Sequence, residues 1–586
     1  MLVFCEDMRT SLEAYVLVLL CLFLSSGHRI QAFSYDYSAT TECLKEPKRA
    51  QYGGGIIANP EFTDGIDSWS VFGRGAIKEG ISENRNKYII AHSRTNSLDS
   101  FSQKVHFEEG KLYSFSAWVQ VKNESENVAV VFRTASGELI YGGRVIAMDG
   151  CWSLLKGGTI ANFSSGPVDI LFESNNTAVE IWVDNVSLQP FTMEQWRSHQ
   201  DQSIHKERKS KLRFQITNSN KTTMEGAIVS IKQSKSSFPF GCGMNHFIIE
   251  NKDYQKWFAS RFKYTTFTNE MKWYSTEKMR GYENYTVADA MVRFAEENDI
   301  RIRGHNIFWD DPKYQPEWVK NISSDELRES AAKRINSVVP RYKGKLIAWD
   351  VMNENLHFSF FEDKLGKDAS SVYFALAHQL DPGTMLFMNE YNTIENCGDE
   401  AANPVNYIRK FQEILSYPGN EKILAGIGVQ GHFGSDQPNL AYMRASLDIL
   451  ASSGLPIWLT EVDVRRGPNQ AEYMEQVLRE GYSHPGVEGI IMFVGPAIAG
   501  FNVTTLADKD FKNTPSGDVV DKLIDEWKFK TTEIKPDSEG SFEVSLFHGD
   551  YDITIKDPFN NTLTNLNYKL TEHDTRDTVQ IHINAF

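Results

Sequence analysis

KLIAWDVMNE (345–354), SSVYFALAHQL (370–380) and TMLFMNE (384–390) follow one another in the chain. A short apolar run ends in polar residues, a helix-like stretch follows, and a second such run begins. Runs of this length flanked by amphipathic segments read as buried parallel strands, each followed by a helix. The rhythm extends both ways. Upstream lie FPFGCGMN (238–245), FKYTTFT (262–268) with VADAMVRFAEEN (287–298), and IRIRGHNIFW (300–309) with DELRESAAKRINSVV (325–339). Downstream come VNYIRKFQEIL (405–415), ILAGIGVQGH (423–432) with LAYMRASLDILA (440–451), PIWLTEVDV (456–464) with AEYMEQVLREGY (471–482), and GIIMFVG (489–495) with VVDKLIDEW (519–527). In the helix at 440, Leu440, Met443, Leu447 and Leu450 fall on one stripe. Eight strand–helix units over about 240–530 predict an α/β fold, a (β/α)8 TIM barrel. An open doubly wound sheet is the alternative, but no Gly-rich phosphate loop accompanies these strands.

Both flanks read as β. Residues 55–190 carry short alternating or apolar runs (KLYSFSAWVQV, NVAVVFRTA, VDILFES, VEIWVDNVSLQP) between Gly, Asn and Ser turns, the pattern of a β-sandwich. A polar stretch, 191–210, connects it to the barrel. KLRFQIT (211–217) and AIVSIKQ (227–233) precede the barrel, and a C-terminal β segment, 531–586, follows it. These small flanking segments are expected to pair with each other.

At 586 residues the chain exceeds what one core organises, so two or three domains are expected. A net charge of −16 without a long Lys/Arg run argues against nucleic acid or an anionic membrane as partner, and favours a neutral one. The apolar run Tyr15–Leu24 is too short to span a bilayer but suits a signal-peptide core, so residues 1–32 read as a leader and the protein as secreted. Starting at Met8 gives the more ordinary basic n-region. Nine N-x-S/T sequons agree with secretion: Asn123, Asn162, Asn175, Asn185, Asn220, Asn284, Asn321, Asn502 and Asn560. Cys43, Cys151, Cys242 and Cys397 lie far apart with no C-x-x-C. They exclude the usual zinc spacing and allow one or two disulfides whose pairing the spacing leaves open.

Barrel enzymes place catalytic side chains at the C-terminal ends of strands. Here those ends carry His305 and Trp309, Asn353 and Glu354, Asn389 and Glu390, Gln430 and His432, Glu461 and Asp463. Polar strand ends meeting solvent account for one or two of these, not for the recurrence. Glutamates on the fourth and seventh strands can face each other across the barrel mouth. Glycosidic bond cleavage needs such a pair, one carboxylic acid to protonate the leaving oxygen and one carboxylate to attack or to activate water.

GHNIFW, WDVMNE, GVQGH and WLTEVDV, with NEMKW upstream, resemble the catalytic domain of glycoside hydrolase family 10, the retaining endo-β-1,4-xylanases, over about 205–530. The separation of Glu354 and Glu461, 461 − 354 = 107 positions, suits that family. Residues 55–190 are similar, more loosely, to family-22 carbohydrate-binding modules. The resemblance makes Glu354 the acid/base and Glu461 the nucleophile. It gives Asn353 the sugar 2-hydroxyl, has His432 and Asp463 tune Glu461 with Gln430 helping to position it, and lines the glycone side with Asn269, Lys272, His305 and Trp309. It implies a cell-wall polysaccharide, xylan, as partner and no metal or other cofactor.

Three positions depart from the family pattern. Thr268 stands where a sugar-binding Glu is usual, and Asp310 where a His is common. In FVGPAIAGF, Val494 stands where the eighth strand's sugar-facing Trp is expected. The alternative reading that follows is a wall-polysaccharide-binding protein with altered sugar subsites and weak or no activity.

Overall fold

The computed structural model describes residues 34–218, 222, 224, 226–572, 574 and 578–583. The expected leader, residues 1–32, and the sequon Asn220 lie outside them. The architecture below is that of the unit Tyr37–Phe586.

Eight parallel strands close into a barrel: strand 1 (Phe240–Met244), 2 (Tyr264–Phe267), 3 (Arg301–Gly304), 4 (Leu346–Asn353), 5 (Met385–Glu390), 6 (Ala425–Val429), 7 (Ile457–Val464) and 8 (Val487–Met492). The order runs 3-2-1-8-7-6-5-4, and strand 3 pairs with strand 4 to complete the ring. Strands 4 and 7 are buried almost throughout, because helices cover the outside and side chains fill the inside. Toward the strand starts, Ala348, Phe387, Trp458 and Ile491 form an apolar plug with Tyr264 and Met385 packed against it. Further into the barrel, Arg303 and Asp350 form a fully buried two-pronged pair. Register shifts occur between Asp350 and Met352 of strand 4 and between Leu459 and Val462 of strand 7. Such irregularities re-aim the side chains that follow, here Glu354 and Glu461.

The helix Leu440–Ala451 is buried nearly all round, not on one stripe alone. Its outer face is covered by the sandwich strand Ser153–Ile160. There Asn439 Nδ2 donates to Gly158 O (3.1 Å), and Lys156 Nζ meets Asp448 Oδ2 at 2.7 Å with both side chains buried. A side chain at Gly158 would strike Ala441, its Cβ lying 2.7 Å from that residue's Cβ. The sandwich itself is two five-stranded sheets around a core that includes Phe101, Phe107, Phe115, Phe132 and Phe172. A Cys43–Cys151 disulfide ties the preceding segment to it, while Cys242 and Cys397 are free thiols.

The flanks form a second sandwich. Lys209–Asn218 lies between Ser541–Phe547 and Thr578–Ile583. Ile228–Ser236 lies between Thr532–Ile534 and Gly549–Lys556. The strands Lys209–Asn218 and Ile228–Ser236 thus belong with the C-terminal strands, and the barrel proper begins at strand 1. The connecting helix Met193–Glu207 starts at a Thr192–Gln195 capping box. Its Trp196 Nε1 donates to Glu480 Oε2 (2.7 Å) on the barrel.

Candidate active site

Register brings the site together. Trp309 pairs with Asn353, Asn353 with Asn389, and Asn389 with Gly428, while His432 pairs with Asp463. The strand ends therefore lie at one level of the barrel mouth. Glu354 follows strand 4 with φ +63°, in the left-handed region that residues bearing a Cβ rarely adopt. Its N–H is held by Asn389 O (2.8 Å).

The two glutamates sit in different surroundings. Glu354 Oε1 accepts from Gln430 Nε2 (3.0 Å) and Oε2 from Trp309 Nε1 (2.8 Å). Burial raises its pKa. Those two hydrogen bonds oppose the rise, and the negative Glu461 adds to it. Glu461 Oε1 accepts from Asn389 Nδ2 (2.8 Å) and lies 3.7 Å from His305 Nε2; Oε2 lies 3.7 Å from His432 Nε2. Burial would raise this carboxyl too, but His305, His432 and Lys272 outweigh it and hold Glu461 well below the usual carboxylate range. Each histidine is anchored on its other nitrogen, His305 Nδ1 at 2.8 Å from Asp350 Oδ2 and His432 Nδ1 at 3.0 Å from Asp463 Oδ1. Burial works against a charge on His432, yet its bonds to Asp463 and Glu461 keep it protonated well above the ordinary imidazole range.

Lys272 is buried with Nζ 4.4 Å from the centre of the Trp309 ring. Burial lowers its pKa, opposed by Glu461 and Glu354. The Tyr314 ring stacks on that of Trp309, with centroids 4.0 Å apart. Asn353 Oδ1 accepts from Asn389 Nδ2 (2.8 Å), whose own Oδ1 is held by Thr460 Oγ1 (2.5 Å). Asn269 joins the expected set through its backbone, its carbonyl accepting the Lys272 N–H (3.1 Å), while its side chain bonds elsewhere. Its Oδ1 accepts from Tyr274 OH (2.6 Å) and its Nδ2 donates to Thr268 Oγ1 (3.4 Å).

Some expectations change. Gln430, expected to help position Glu461, accepts the Glu461 N–H on its backbone carbonyl (2.8 Å), while its side-chain amide binds Glu354. Val494 does not face the sugar site. It is fully buried, with its carbonyl taking the Cys242 thiol (3.0 Å). The aromatic at the mouth is its neighbour Phe493, whose ring stands edge-on to His305 (6.0 Å) and His432 (6.4 Å). Asp310 is buried away from solvent, accepting Phe361 N–H (3.0 Å). Burial pushes its pKa up to about 8.

Sequence reasoning passed over Asp350 and Arg303, whose polar types inside a parallel strand are the available signal, and over the roles of Asn389 and Glu390. Met-Asn-Glu occurs at both 352–354 and 388–390, but Glu390 is fully buried. It is bound to His357 Nδ1 (2.8 Å) and to the Leu356 and Tyr391 N–H groups. His357 also meets Asp399 (2.9 Å). Burial works against its charge, but these two carboxylates raise its pKa to about 9.

One carboxyl pushed up by burial beside one held ionised is the arrangement that glycosidic bond cleavage uses, and it makes this barrel a glycoside hydrolase. Comparison with known proteins agrees. The model of Glycosyl hydrolase family 10 matches residues 230–493. The chain is 48% identical over 574 residues to the Arabidopsis thaliana protein "Endo-1,4-beta-xylanase 5-like", covering 96% of this chain and 97% of that one. It is 47% identical to "Endo-1,4-beta-xylanase 4" of the same plant, over 96% and 97% of the two chains. Among solved structures, native xylanase 10B from Thermotoga maritima is 25% identical with a TM-score of 0.44, over 50% of this chain and 97% of that one. The chain belongs to glycosyl hydrolase family 10.

Proposed function

We propose that the protein is a secreted, retaining endo-β-1,4-xylanase acting on cell-wall xylan by double displacement. The observation that carries this is the opposite shift of two carboxyls within one site, Glu354 raised by burial and Glu461 held low by His305, His432 and Lys272. Glu461, ionised, attacks the anomeric carbon while Glu354 protonates the leaving oxygen. A glycosyl ester forms on Glu461, and Glu354, now a carboxylate, takes a proton from the water that hydrolyses it. Trp309, Tyr314 and Phe493 offer aromatic surface to pyranose rings, and Lys272, Asn269 and Asn353 offer donors and acceptors to hydroxyls. The relatives' names support xylan as the substrate.

Hydrolysis of an aryl β-xylobioside and of xylan, followed by proton NMR, tests the proposal. The β-anomer should appear before mutarotation; an initial α-anomer would remove Glu461 from the nucleophile role.

Secretion rests on the leader pattern and the sequons. Of the sequon asparagines among the described residues, Asn185 is buried with its Nδ2 on Lys48 O (2.8 Å), while the others are exposed. Glycan binding by the N-terminal sandwich is a weaker part of the proposal. Trp69, Trp118 and Trp152 are buried, which leaves the partly exposed Trp182, stacked on Tyr88 at 5.1 Å, as its platform. Affinity electrophoresis of the full chain and of Trp182→Ala in xylan gels tests it; equal migration of the two removes that platform.

A further inference from the structure

Glu395 lies in the loop 391–403 after strand 5 and bonds to neither catalytic carboxylate. Its Oε1 accepts the backbone N–H groups of both Gly431 (2.8 Å) and His432 (2.9 Å), and its Oε2 accepts that of Ile394 (2.9 Å). Gly431 has φ +83°, so His432 leaves strand 6 from a sharp turn. On the other side Asp463 N–H donates to Gly431 O (3.1 Å). The turn is thus gripped between strand 7 and Glu395.

The loop is braced in turn from outside the barrel. The Cys397 thiol donates to Tyr141 O (2.7 Å), Arg144 lies 3.9 Å from Glu400, and Val405, in the helix Pro404–Leu415 that follows the loop, packs on the core of the N-terminal sandwich. Within the loop, Asn392 and His357 both hold Asp399, and Tyr442 OH donates to Thr393 O (3.2 Å).

We infer that Glu395 is a positioning residue that, from a loop braced by the N-terminal sandwich, fixes the Gly431–His432 backbone so that the imidazole stands between Asp463 and Glu461. Without it, two N–H groups lose their acceptor and the turn carrying His432 is held from one side only. The charged groups facing His432 are Glu461 and Asp463 from strand 7 and Glu395 from the loop, with the Phe493 ring beside them from strand 8. Losing the Glu395 carboxylate therefore weakens both the placement and the field that keeps His432 protonated.

The inference rests on the glycosidase reading only in its kinetic arm, so the test has two arms. Full-length wild type, Glu395→Ala, Glu395→Gln and His432→Asn are labelled with 13C at histidine Cε1 and titrated by NMR, His432 being the signal missing from His432→Asn. In Glu395→Ala, His432 should titrate about one pH unit or more below wild type. With an aryl β-xylobioside the same variant should lose about tenfold or more in kcat, with KM changed less than about twofold and the acid limb of the pH profile moved upward. Glu395→Gln keeps an acceptor oxygen and should recover most of the lost kcat. An unmoved His432 titration in folded Glu395→Ala, or a Gln variant no better than Ala, overturns the inference. A wild type inactive on xylobiosides refutes the substrate reading instead and leaves the NMR arm to decide this one.

Discussion

Gln430 touches both glutamates, its side-chain amide donating to Glu354 (3.0 Å) while its backbone carbonyl accepts the Glu461 N–H (2.8 Å). The amide stabilises ionised Glu354 and so limits how far burial raises that carboxyl. Gln430→Leu should move the basic limb of the pH profile upward. It should also lower kcat/KM by about tenfold, the loss of one hydrogen bond to a charged group. An unmoved basic limb would show that the bond is absent in the free enzyme.

Phe493, not Val494, carries the aromatic surface of strand 8. Phe493→Ala should raise KM for xylo-oligosaccharides by up to about tenfold, the value of an aromatic contact of about 0.5–1.5 kcal/mol. Val494 is enclosed, so Val494→Trp overpacks the barrel and should cost about 1–3 kcal/mol, read as a lowered Tm. A Val494→Trp variant of normal Tm and improved kcat/KM would return the sugar-facing role to that position.

Asp310 makes stability fall with rising pH. Its native pKa of about 8 lies above that of the unfolded chain, so its contribution is complete below about pH 4. Between the two values the unfolded chain has released a proton that the native state keeps, and the contribution declines by about 1.4 kcal/mol per pH unit. Above pH 8 the decline stops. Asp310→Asn keeps an acceptor for Phe361 and should flatten this slope, measured as Tm against pH. Equal slopes in the two proteins would place the ionisation elsewhere.

Lys156 joins the sandwich to the barrel through a buried ion pair, with His484 Nε2 on the same carboxylate at 3.0 Å. Lys156→Ala should cost about 3–5 kcal/mol, the usual result of stranding one buried charge. The exposed pair Lys104–Asp169 (3.8 Å) should cost under about 1 kcal/mol when Lys104 is truncated. Similar Tm values for the two variants would mean that the sandwich docks without this contact.

The barrel was legible because eight strand–helix repeats leave few other folds, and the paired glutamates Glu354 and Glu461 because strand ends are where barrels keep their chemistry. What escaped depends on neighbours distant in sequence. A one-residue difference at the end of strand 8 exchanges an enclosed side chain for a cleft-facing one, and motif matching across a Gly-rich loop cannot decide between Phe493 and Val494. The helix at 440 showed one stripe, yet its second face is buried by a strand some 280 residues earlier, as the Asn439–Gly158 bond records. Gln430 sits between both carboxylates, so its strand position alone leaves its partner open. Asp310 follows Trp309 in a motif that looks functional, but the fold turns it inward beneath Phe361.

The central claim is that Glu461 is the nucleophile and Glu354 the acid/base, and trapping the covalent intermediate tests it most directly. The full-length enzyme is incubated with an activated 2-deoxy-2-fluoro-β-xylobioside, digested, and mapped by mass spectrometry. The expected result is one sugar adduct, on Glu461 in the peptide carrying WLTEVDV, absent from Glu461→Gln. An adduct on Glu354, or full turnover of substrate by Glu461→Gln, would contradict the assignment.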